Sequence, residues 1–207
     1  MTTRQQKRVL PWRQWLLPLM VAVMVTLLML WGESASALLR YDRDGLARGE
    51  LWRAVTGHFV HLGWSHLLLN LAGLFLVWLL VGEALSRRGW LLLLSSCSVF
   101  LGAALWLFSP LLQWYVGLSG LLHGMLFAGA LVQFGGGDRG GAVLGLLVII
   151  KLLWEQRLGP LPGSESVAGG AVIVAAHLYG TVAGGLFLTV ALSRRRWREQ
   201  VLGRVQS

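Results

Sequence analysis

Between Gly89 and Gly137 the chain carries no formally charged side chain. A water-soluble domain, with about a quarter of its residues charged, does not leave so long a stretch bare. About 20 apolar residues cross a bilayer core, so the run is also far too long for one crossing. Ser109-Pro110 divides it, because proline breaks a helix and biases the residue before it toward extended backbone. The chain is therefore read as an all-α membrane protein that crosses several times. Only 13% of its 207 residues are charged and 56% are hydrophobic. Spans and short loops use up this length, and a single membrane domain over 1–207 is expected.

Six spans follow from the apolar runs. Span one is Gln14–Gly32, with Trp12, Trp15 and Trp31 suited to the interfaces. Span two is His66–Leu85. Span three lies near Trp90–Phe108, span four near Leu118–Phe134 and span five near Ala142–Leu158. Span six lies within Ser166–Ser193. Glu33–His61 is a long polar connection rich in Trp, His and Leu, and loops of that length usually have a job. In span five, Lys151 and Glu155 are one helical turn apart, where they can pair, or Lys151 can snorkel to the interface.

An even number of spans puts both termini on one side. With the tails 1–13 and 194–207 cytoplasmic around a core of about 14–193, the inner segments hold 12 basic residues and the outer half 6. The positive-inside rule selects that orientation. The net charge of +9 is thus spent on orientation and acidic-lipid contact, and no nucleic-acid partner is expected. The basic start before an apolar stretch imitates a signal peptide. Cleavage is not expected, since the stretch is long enough to span and the nearest small-x-small site is the distant Ala35-Ser36-Ala37. The lone Cys97 reads as a small buried residue.

Spans two, four and six all run from outside to inside in this topology. Their polar residues (His66 and Asn70, Ser119, His177) then reach a similar outer depth. A single Ser or His in a span is more often a helix–helix hydrogen bond than a catalyst. Convergence of three helices at one depth changes that balance, because intramembrane polar groups are costly and face the bundle interior. Gly120-x-x-x-Gly124 and Gly180-x-x-x-Gly184 permit close backbone approach. If those faces pack, Ser119 and His177 come within hydrogen-bond reach. His177 can then take the serine proton and return it to a leaving amine. The backbone N–H at Ser119, at the positive end of span four, is a candidate oxyanion donor, with His66 and Asn70 as side-chain donors. None of the nine acidic residues is expected beside His177, so the pattern reads as a Ser–His dyad. No His-Glu-x-x-His is present and no metal or other cofactor is expected.

With these residues in view, the chain resembles the rhomboid family of intramembrane serine proteases. Gly117-Leu-Ser-Gly120 is similar to the family's Gly-x-Ser-Gly nucleophile motif. Ala176-His-Leu-Tyr-Gly180, followed by Gly184, is similar to its Ala-His-x-x-Gly-x-x-x-Gly. His66-Leu-Leu-Leu-Asn70 resembles the His-x-x-x-Asn of the second span, and Trp52-Arg53 resembles the Trp-Arg signature of the first outer loop. The resemblance implies a six-helix rhomboid-like bundle, Ser119 as nucleophile, His177 as general base, His66 and Asn70 at the oxyanion hole, and a structural role for the loop. Many relatives carry an aromatic residue four positions after the serine, stacked on the catalytic histidine, where this chain has His123. His61 matches a loop histidine, and Glu83 matches a family glutamate only with an offset. Gly57-His-Phe-Val-His-Leu-Gly-Trp-Ser-His66 and Gly117-Leu-Ser-Gly-Leu-Leu-His-Gly124 look most like the rhombosortase branch.

That branch implies a bacterial inner-membrane enzyme. Its substrates are membrane-anchored proteins ending in a Gly-Gly motif, an apolar helix and a basic tail. Span five and the outer loops are the expected gate. A pseudoprotease that binds transmembrane helices without cutting is the alternative. A transporter or scaffold would show paired intramembrane charges or internal repeats. The sequence does not speak to oligomeric state.

Overall fold

The computed structural model describes residues 12–193, so the tails read as cytoplasmic lie almost wholly outside the described residues. After a 3-10 turn, the long helices are α1 (Leu16–Trp31), α5 (Trp64–Val81), α6 (Arg87–Phe108), α7 (Ser119–Gly135), α8 (Arg139–Leu158) and α10 (Val174–Ser193). Four short helices occupy the connections: α2 (Glu33–Leu39), α3 (Arg43–Ala47), α4 (Arg53–Thr56) and α9 (Ser164–Ala168). Two two-residue strands, β1 (Tyr41–Asp42) and β2 (Trp114–Tyr115), pair antiparallel with Tyr41 opposite Tyr115.

Local chemistry sets the helix ends. Ser86 opens α6 by accepting the Gly89 N–H at 3.0 Å, and Asp138 opens α8 by accepting that of Gly140 at 2.8 Å. Gly32 and Gly159 end α1 and α8 with φ of +76° and +84°, a region costly for residues with a β-carbon. The helix α6 stops at Phe108, directly before Ser109-Pro110, as the sequence predicts. Expected span two, His66–Leu85, is displaced: α5 starts at Trp64 and stops at Val81, and Ser86 caps the next helix only five residues later.

Of the six expected spans, four are long and apolar enough to cross a bilayer by those criteria: Trp12–Trp31, α5, α6 and α10. Two fall short for different reasons. The helix α7 has 17 residues and is walled in by α5, α6, α8 and α10, so it does not have to present a full-length apolar surface. The helix α8 carries Arg139, Lys151, Glu155 and Arg157. Its exposed face is nevertheless apolar, with Val143, Leu146, Leu147, Ile150, Leu153 and Trp154 outward, while Glu155 is buried. A helix exposed to water has the opposite pattern.

The packing of α7 against α10 rests on the glycines that the sequence singled out. A β-carbon on Gly180 would overlap the Gly120 carbonyl, and one on Gly184 would overlap that of Gly124. The two backbones are in contact, as small-xxx-small faces permit.

The long connection 33–61 folds into a buttress. The Arg43 guanidinium donates to the carbonyls of Leu105, Trp106, Ser109 and Leu112 at 2.9–3.1 Å, neutralising the negative end of α6. The buried Arg53 donates to the Ala37 and Arg40 carbonyls and to Glu50, whose carboxyl it holds below the usual carboxylate range. Trp52 donates its indole N–H to the Leu38 carbonyl at 3.2 Å.

Candidate active site

Ser119 is the first residue of α7, placed by the turn Tyr115–Leu118. That turn is held on three sides. Tyr115 is fully buried and donates its hydroxyl to the Gly117 carbonyl at 2.6 Å. The Gly117 N–H donates to the Gly57 carbonyl at 3.1 Å, tying the turn to the buttress. Gly57 must itself be glycine, because a β-carbon there would strike the backbone of Tyr41. His58, alongside, donates its Nε2–H to the Ser98 carbonyl at 3.0 Å and packs edge-on to Tyr115. Burial pushes its pKa down to about 4, so it stays neutral at physiological pH.

Gly117 has φ +125°, and a β-carbon at this position would lie 2.7 Å from Cε1 of His66. The imidazole of His66 therefore occupies the space that a side chain at 117 would take. Its Nδ1 accepts the Leu62 N–H at 3.3 Å, so the ring proton sits on Nε2, on the side of Gly117. Asn70, one turn further along α5, donates one amide hydrogen to the His66 carbonyl at 3.0 Å and keeps the other. His61 lies edge-on to His66 with ring centroids 5.1 Å apart.

His177, one turn inside α10, places Nε2 at 3.0 Å from Ser119 Oγ. His123, one turn into α7, stacks on the His177 ring, with centroids 4.2 Å apart and planes at 16°. Its Nδ1–H donates to the Ser119 carbonyl at 2.8 Å. Ser119, His177, His66, Asn70 and His123 all line one cavity of about 430 Å³. Its roof is the connection between α8 and α10, including Leu161, Ser164 and Ala168.

One expectation is overturned. The sequence reading put no carboxylate beside His177, yet Oε2 of Glu155 lies 2.9 Å from His177 Nδ1. Its Oε1 accepts from Lys151. Glu155 sits one turn inside the C-terminal end of α8, and His177 one turn inside the N-terminal end of α10, so the two ends bring the side chains to one level. The pairing of Lys151 with Glu155 at i, i+4 is legible in the sequence, but so is the alternative in which Lys151 snorkels to the interface. The signal missed was that the positions of α8 preceding Glu155 on its outward side, Leu146, Leu147, Ile150, Leu153 and Trp154, are apolar and lipid-suited, which leaves the Lys151–Glu155 pair for the interior.

His123, Glu155 and His177 bring ligand-type atoms within 4.8 Å of one another. Both Glu155 oxygens already accept, His177 uses both nitrogens, and His123 Nδ1 is committed to the Ser119 carbonyl. The Lys151 ammonium supplies the positive charge that a cation would bring.

A family profile described as Rhomboid domain matches residues 48–195, which includes every side chain of this site. Among curated proteins, "Putative rhomboid protease YdcA" of Bacillus subtilis (strain 168) is 27% identical over 163 residues, covering 74% of each chain.

Proposed function

This chain belongs to the rhomboid family and is a hydrolase of the serine-protease type; from that premise we propose that it cuts membrane-anchored proteins near the outer face of the bilayer, with Ser119 as nucleophile and His177 as general base. The observation that carries this reading is the 3.0 Å approach of His177 Nε2 to Ser119 Oγ. Oγ attacks the scissile carbonyl as its proton passes to Nε2. The tetrahedral oxyanion is met by the Ser119 N–H, His66 Nε2–H and the second Asn70 amide hydrogen. Collapse expels the amine, which takes the proton from His177 and leaves an acyl ester on Ser119. Water then attacks the ester, again giving its proton to His177, and the serine is regenerated with release of the acid.

The topology belongs to the same proposal. Six helices cross the bilayer as one domain spanning 1–207, with both termini in the cytoplasm of a bacterium and the chain in its inner membrane. The 12-to-6 distribution of basic residues and the apolar outer face of α8 support it. The substrate class proposed is that of the rhombosortase branch, a C-terminal Gly-Gly motif followed by an apolar helix and a basic tail. The two histidine-rich motifs Gly57–His66 and Gly117–Gly124 support that assignment. Glycines help here, since a substrate helix must unwind to present its bond. A pseudoprotease would not need the serine and histidine kept in hydrogen-bond contact.

The purified protein is expected to cut a Gly-Gly-tailed substrate. Ser119→Ala and His177→Ala are each expected to lower turnover by roughly 10³-fold or more while remaining folded. Undiminished turnover by folded Ser119→Ala would contradict the mechanism.

A further inference from the structure

We propose that Glu155 is a positioning residue for His177 and that Lys151 in turn holds Glu155, so the site works as a relay from Ser119 through His177 and Glu155 to Lys151. The inference rests on the serine-protease reading above and changes the dyad expected from the sequence.

Both oxygens of Glu155 are engaged by donors. Oε1 takes a proton donor from Lys151, and Oε2 faces His177 Nδ1 at 2.9 Å. A carboxylate accepts only, so Nδ1 must carry a proton and donate it. Neutral His177 then has its lone pair on Nε2, the nitrogen 3.0 Å from Ser119 Oγ. That is the tautomer that can accept the serine proton. The ring is restrained in its remaining degree of freedom by the stacked His123. Glu155 is thus the group that settles which nitrogen is basic, and it lies against the imidazolium that forms during attack.

Lys151 has a separate task. A buried carboxylate without a counter-charge binds a proton readily. It would then take the proton from His177 or become a neutral acid. The ammonium on Oε1 keeps the carboxylate ionised and in place. The other titratable groups around His177 do not do this. His123 on α7 is committed to the Ser119 carbonyl, and His66 on α5 to the Leu62 N–H. Tyr115 donates to the Gly117 carbonyl. Among the described residues, no other acidic side chain forms an ion pair or hydrogen bond with His177.

The rival account is that Lys151–Glu155–His177 is only a tie between α8 and α10. The two accounts separate in the pH dependence. The full chain is purified in detergent, and the rate at which a fluorophosphonate labels Ser119 is measured against pH. In Glu155→Gln the rate is expected to fall about 10²-fold or more, with the acid limb moved to lower pH because the imidazolium has lost its counter-charge. Lys151→Met is expected to fall less and to move the acid limb to higher pH, because Glu155 without its counter-charge takes up a proton as the pH falls and then no longer holds His177 Nδ1–H. Limbs that stay where they are in both variants would overturn the relay. If Glu155→Gln does not fold, nitrogen NMR of the wild-type histidines decides: protonated Nδ1 with unprotonated Nε2 on neutral His177 supports the relay, and the reverse overturns it. Ser119→Ala and His177→Ala are measured alongside. Their retaining activity would defeat the serine-protease reading itself, whereas their loss beside an unaltered Glu155→Gln would defeat the relay alone.

Discussion

Gly117 shows how tightly the residues of this site constrain one another. Its φ of +125° and the His66 ring at 2.7 Å from a notional β-carbon leave no space for even a methyl group. Gly117→Ala is expected to displace His66 or the turn before Ser119. Backbone strain of this kind costs about 1–3 kcal/mol, and losing one oxyanion donor costs roughly 10²–10³-fold in rate. Thermal unfolding together with fluorophosphonate labelling would check both. A labelling rate and midpoint equal to wild type would contradict the assigned geometry. Ser119, His177, His66 and Asn70 were legible in the sequence because their spacing put them at helical positions of one depth. The stacking place of His123 followed from its offset to the serine. Glu155 was not legible, because a charge near the end of a span reads equally as an interfacial group, and only the three-dimensional placement of α8 beside α10 decides. Arg43, which caps α6, and Gly57, which seats Tyr41, also needed the folded loop to be recognised.

At the level of elements, the same bond reassigns motion. The sequence reading made span five part of the gate because it was the least hydrophobic. In the structure the inward part of that polarity is the Lys151–Glu155 pair, and Glu155 is hydrogen-bonded to His177. Swinging α8 outward would pull Glu155 from the histidine. The connection 159–173 is better placed to open: it roofs the cavity, and Gly159, Gly163 and Gly169 each have positive φ. Its α9 rests on the start of α5, where Ser65 donates to the Ala168 carbonyl at 3.5 Å. A disulfide between Ser65→Cys and Ala168→Cys is therefore expected to block cleavage of a helical substrate, reversibly on reduction, while a small fluorophosphonate still reaches Ser119. Equal substrate cleavage in the oxidised and reduced forms would show that the roof does not need to lift. The helix order was legible from apolar runs and breakers. The buttress 33–61 was visible only as a loop with a job, since its fold depends on contacts with the far ends of α6 and the turn before α7.

At the scale of the molecule, an interior that holds Glu155 and the glycine faces of α7 and α10 is wrapped in an apolar exterior, and the orientation proposed rests on the 12-to-6 distribution of basic residues along the sequence. The orientation proposed predicts that a fluorescent protein fused after Ser207 is bright and that alkaline phosphatase fused there is inactive. The opposite pair of results would invert the topology and place Ser119 on the cytoplasmic side. The central claim, however, is that Ser119 is a nucleophile made reactive by His177. Its most direct test is mass spectrometry of the intact, folded protein after fluorophosphonate treatment. We expect a single adduct mapping to Ser119 in the wild type and none in His177→Ala. An adduct on another residue, or labelling of Ser119 that survives the loss of His177, would contradict the mechanism.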